Sequence, residues 1–122
     1  MSLFQINFSV STNEDWLDTL SFAAEVEGEP EPYDITDSSF LMHIRKEATK
    51  LSTVLVLSTE NGRIIVEPGM EDVGKLTLSV PKETVDDIDP GTYVHDIVWT
   101  MGDGREVNLA QGTLTVNLGV TR

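Results

Sequence analysis

Apolar and polar residues alternate singly along most of this chain, the period of strands that bury one face. Phe4, Ile6, Phe8 and Val10 against Leu3, Gln5, Asn7 and Ser9 predict a first strand, and Asn13-Glu14-Asp15 a polar turn. Leu20, Phe22 and Ala24 against Thr19, Ser21 and Ala23 predict a second strand, with Trp16-Leu17-Asp18 either its beginning or one irregular turn. Glu25 to Pro32, with four acids, one glycine and two prolines, reads as a loop, because proline cannot donate to a sheet ladder. Phe40, Met42 and Ile44 mark the apolar face of the next strand, and Glu47 to Lys50 has room for one helical turn at most. Val54-Leu55-Val56-Leu57 is apolar on both faces, which suits a covered central strand or one that meets a partner.

Asn61-Gly62 predicts a hairpin turn leading to a return strand from Arg63 to Glu67, with a further turn at Pro68-Gly69. Lys75 to Val80 alternates cleanly, with Leu76, Leu78 and Val80 inward, and Pro81 ends it before a short helical turn from Lys82 to Ile88. Pro90-Gly91 launches a strand from Tyr93 to Met101, Gly102-Asp103-Gly104 reverses it, and Glu106 to Ala110 and Thr113 to Leu118 complete a meander. Roughly eight strands at this turn spacing predict an all-β fold, an immunoglobulin-like antiparallel sandwich forming one domain over residues 1–122. Tyr93 fits the corner tyrosine of such sandwiches, with His95 where the core cysteine would stand.

The formal charge of -13 makes nucleic acid a poor partner. Nine carboxylates and no Lys or Arg lie between Met1 and Asp37, so an acidic face could meet a basic partner, although solubility alone accounts for such a surface. The absence of cysteine excludes disulfides, thiolate metal sites and cysteine nucleophiles, and suits a reducing compartment. No apolar run approaches the length of a spanning helix, and Met1 to Phe8 reads as a strand, not a signal peptide, so no membrane insertion is expected.

Candidate chemistry is sparse. His43 and His95 could bind a metal or move protons, but they lie on different strands without ligand spacing. Acid pairs such as Asp86-Asp87, Glu71-Asp72 or Glu29 and Glu31 occur in turns, where carboxylates face solvent rather than a cleft. Gly102-Asp103-Gly104 lacks the alternating ligands and closing glutamate of a calcium loop. No phosphate loop and no marked nucleophile is present. Trp16, Tyr33, Tyr93 and Trp99 would be the platform of a carbohydrate- or cell-surface-binding module if they faced outward. The residues therefore predict no catalytic residue, no cofactor and no metal.

Several segments, in order, resemble a family of small proteins encoded in tailed phages and prophages of proteobacteria. They are Asp34-Ile35-Thr36, Ser39 to Arg45, Val54 to Ile64, Gly74 to Pro81, Pro90 to Asp96, Gly112 to Val116 and the terminal Val120-Thr121-Arg122. A looser similarity runs to the N-terminal immunoglobulin-like domain of phage baseplate upper proteins. The sequence departs at Asp37, where relatives carry Gly, and at His95, where they carry an aromatic. The resemblance implies a non-enzymatic structural or accessory component of a phage tail or virion, present in the host cytoplasm during assembly. Its partners would be other phage structural proteins, docked through sheet edges and exposed apolar faces, and a homo-oligomer is expected, trimeric in a spike or baseplate. By strand parity Leu41, Leu55, Leu57 and Ile65 are the candidate interaction residues.

Overall fold

A computed structural model of the chain describes residues 4–47, 53–66 and 74–119. The larger sheet runs β1-β11-β10-β6-β7, with β2 also paired to β11. Its strands are β1 (Phe4–Gln5), β2 (Phe8–Ser11), β6 (Ser39–Arg45), β7 (Leu55–Ser58), β10 (Gly91–Thr100) and β11 (Glu106–Asn117). The smaller sheet runs β3 (Trp16–Ser21), β9 (Lys75–Val80), β8 (Ile64–Ile65), and β4 (Ala23–Val26) with β5 (Glu29–Pro32) makes a separate hairpin. The inner faces of the two sheets share one core, an immunoglobulin-like sandwich.

The alternation of the sequence accounts for that core. Phe40, Met42 and Ile44 of β6 and Tyr93, Ile97 and Trp99 of β10 face inward from the larger sheet, and Leu76, Leu78 and Val80 of β9 meet them from the smaller. Trp16 begins β3 and is buried, so it is strand and not turn. The helix α1 (Lys82–Asp86) follows Pro81, and Val85 and Ile88 plug one end of the core. Its outer side is tied down by the turn after β2: Asn13 N donates to Asp86 Oδ1 and Lys82 N to Asp15 Oδ1, both at 2.7 Å. Near the other end Phe4 packs on Phe22 and Tyr33, and Tyr33 stacks on Trp99. The Tyr93 hydroxyl donates to Asp89 O, so the corner bond forms as the Asp89-Pro90-Gly91 spacing implied.

Four readings of the sequence are corrected. The Glu25 to Pro32 stretch is not a loop: Val26 pairs with Glu29 and Ala23 with Pro32 around a tight turn whose Glu27 and Gly28 both have positive φ. A two-stranded ribbon tolerates proline because each strand has an unpaired side. Asn61-Gly62 does not close a hairpin, since β7 and β8 belong to different sheets, and the turn carries the chain between them. The C-terminal meander is a single hairpin, because β11 runs unbroken through Gln111-Gly112. A bulge opposite Ile97 and Val98 turns both Leu109 and Ala110 inward, and the extra residue breaks the alternation that suggested two strands. The count of eleven short strands among the described residues exceeds the expected eight because Ala23 to Pro32 forms β4 and β5 and the first strand divides into β1 and β2 at Ile6-Asn7.

Candidate functional site

The fourth correction concerns the interaction residues. Leu55 and Leu57 are core residues, 7% and 0% exposed, facing Ile44 and Met42 across the β6–β7 ladder. In a run of four apolar residues parity has no polar marker to fix it, and the register puts Val54 and Val56 outward instead. Leu41 and Ile65 are exposed as expected, at 38% and 37%, but Leu41 lies on the larger sheet and Ile65 on the smaller. The four do not make one surface.

What the pairing does build is a polar row across the outer face of the larger sheet. Val56 stands opposite His43, His43 opposite Asp96, Asp96 opposite Gln111 and Gln111 opposite Gln5. Beside it a second row joins Arg45 to Val94 and Val94 to Thr113. A shallow groove of about 360 Å³ lies along these rows, lined by His43, Arg45, Val94, Asp96, Gln111 and Thr113 among others. On the other side of the polar row Leu41 pairs with Val98, giving the face an apolar half.

Arg45 Nη2 is 3.3 Å from His43 Nδ1, and since guanidinium only donates, Nδ1 is the acceptor and the imidazole proton sits on Nε2. Arg45 Nε is buried without a hydrogen-bond partner. The ion pairs among the described residues are Lys82–Asp86 and Arg105–Asp103, so Arg45 has no carboxylate within pairing distance.

The β7 edge of the larger sheet and both edges of the smaller one are guarded. On β7, Asn61 Nδ2 and Arg63 Nη1 each donate to Val56 O at 3.0 Å. On β3 the core-side parity of Trp16 and Leu20 is shared by Asp18, whose Oδ2 accepts the Trp16 indole N–H at 2.8 Å. A charge pointing inward on an edge strand resists addition of a foreign strand, and β8 is only two residues long.

The remaining chemical candidates separate. His95 faces the core from β10, 5% exposed, while His43 faces out from β6, so the sheet lies between them. Burial lowers the His95 pKa, opposed by its bond to the Ile6 carbonyl and by Asp96. Among the described residues no three His, Cys, Asp or Glu side chains are placed to hold a metal. Asp86 accepts Asn13 N and Lys82 Nζ, and Asp103 accepts Arg105 N and Nε, so both acids serve local structure. Glu71-Asp72 lies outside the described residues. Trp16, Tyr93 and Trp99 are buried, so the aromatic platform of a sugar-binding module does not form. No helix among the described residues is long and apolar enough to cross a membrane.

No protein-family profile and no curated protein matches the chain. Solved structures do. CopC from Methylosinus trichosporium OB3b is 20% identical over 95% of this chain and 88% of its own, with a TM-score of 0.49. A chain of the complex of ICOS with ICOS-L and an anti-ICOS-L VNAR domain is 15% identical over 93% of this chain and 54% of its own, at 0.43. Murine CRIg is 11% identical over 93% and 92%, at 0.38. Likeness this distant carries nothing about what the chain binds.

Proposed function

We propose that this chain is a non-enzymatic docking module, a structural or accessory component of a phage tail or virion that assembles through the outer face of its larger sheet. The phage context rests on the ordered segments from Asp34 to Arg122 described above. The docking mechanism rests on one observation: among the described residues, the six strands of the larger sheet hold two acids, Asp96 and Glu106. A strongly acidic molecule thus has one broad face nearly free of acid, with Leu41 and Val98 on it, and such a face is where another protein can approach without charge repulsion. Mass spectrometry of virions purified after prophage induction tests the reading. The chain is expected in the particles at a fixed ratio to the tail proteins, and its absence there would overturn the virion assignment.

A further inference from the structure

Asp96 and Arg45 occupy adjacent strands, Asp96 opposite His43 and Arg45 opposite Val94, so the two charges form one diagonal of a four-residue square on the outer face. The other diagonal is His43 and Val94. A two-fold axis lying in the plane of an interface and crossing the charged diagonal at right angles would set Arg45 over the Asp96 of a second copy, and Asp96 over its Arg45. The same axis would bring Val94 and His43 onto their own counterparts. The face is therefore complementary to itself, which is what an isologous contact requires. We propose that two copies of this chain pair face to face through the larger sheet, with reciprocal Arg45–Asp96 ion pairs.

Three further observations support a second copy as the occupant. Two molecules of charge -13 repel one another except where acid is absent, and the six strands of the larger sheet hold only Asp96 and the end residue Glu106. Arg45 has no acidic partner within its own chain among the described residues. Five strands spaced about 4.8 Å apart, with a central strand rising about 3.3 Å per residue, give a face on the order of 20 by 30 Å. That approaches the roughly 800 Å² per partner of a stable pair.

The choice of face rests on the docking reading above, yet the two fail separately. Sedimentation equilibrium on the full chain is expected to show twice the 13.5 kDa chain mass. Arg45→Asp alone and Asp96→Arg alone each place like charges together and are expected to weaken pairing at least about tenfold. Mixing the two variants restores both ion pairs and should recover the dimer, an outcome that a merely structural role for either residue would not produce. Circular dichroism reports whether each variant folds. If a swap unfolds the chain, Val98→Asp, which puts an unpaired carboxylate on the apolar half of the face, reads the same interface. A wild-type chain that stays monomeric to about 0.5 mM overturns the proposal, as does a dimer indifferent to these substitutions. A monomer found in virions would remove the pairing and keep the docking reading, and a dimer absent from virions would do the reverse.

Discussion

His95 Nε2 lies 2.8 Å from the carbonyl oxygen of Ile6, joining the break between the two N-terminal strands to the middle of β10. A carbonyl only accepts, so Nε2 carries the proton, and Nδ1 is buried with nothing to bond. A second proton on this ring has no acceptor to meet it, and burial holds the His95 pKa below its ordinary 6.5 although the Ile6 bond and Asp96 act the other way. The folded state thus takes up the proton less readily than the unfolded one. The stability that goes with neutral His95 is complete above pH 6.5 and is lost as the pH falls through the depressed folded value. Urea midpoints should be lower at about pH 5 than at neutrality, with His95→Gln flattening the difference. The carboxylates of Asp34, Asp86 and Asp103, held below 3.8 chiefly by the Thr36 hydroxyl and by the Asn13 and Arg105 backbone N–H groups, titrate in a more acid window.

Gly112 stands opposite His95 on β11, and a Cβ there would lie 1.9 Å from Ile6 O. Backbone cannot swing aside as a flexible side chain can, so Gly112→Ala should cost about 3 kcal/mol. Gly28→Ala is the contrast, with φ of 82° and nothing within 4 Å of the added carbon, and should cost about 1 kcal/mol from the left-handed backbone alone. Paired urea titrations of the two variants measure the difference.

Leu57 and Leu41 separate the two faces of the larger sheet. Leu57→Ala removes a fully buried side chain and should destabilise by about 2–5 kcal/mol. Leu41→Ala should stay within about 0.5 kcal/mol of the parent, its effect appearing in association instead. Equal losses would return Leu57 to the surface where its sequence parity had put it.

Asp37 has φ of 56°, the conformation that glycine adopts freely. The turn holds an aspartate in that geometry. Asp37→Gly should change stability by less than about 0.5 kcal/mol, because relief of the strained backbone is offset by a looser unfolded chain. Asp37→Val should cost about 1–2 kcal/mol, since a β-branched residue resists this region. Thermal melts of the pair decide it.

Asp18 is the inward charge on the β3 edge. Replacing it by valine removes the guard and leaves the Trp16 indole without its acceptor, so Asp18→Val should fold yet aggregate over hours, followed by light scattering. A variant that stays dispersed would show that the edge is protected in some other way.

The strands with one polar face were legible in the sequence: β6, β9 and β10 carry their core residues at every second position, and Tyr93 sits where its corner bond requires. Local alternation failed where polarity gave no contrast, as in Val54 to Leu57, and where a bulge changed parity inside one strand, as at Leu109-Ala110. The row Gln5, His43, Asp96 and Gln111 was not legible, because nothing in the order of those residues along the chain announces that three ladders bring them into line. Strand order and register supply that information, and they arise from the packing of the whole sandwich.

Both β1 and β2 run parallel to β11, with Phe4 beside Ala110 and Phe8 to Ser11 beside Leu114 to Asn117. The start of β1 and the end of β11 therefore lie at opposite ends of one ladder. Tension applied through them acts along the strands and loads the rungs of that ladder together in shear, rather than peeling them one at a time. A module joined to its neighbours at these two ends would resist stretching far better than its equilibrium stability alone suggests.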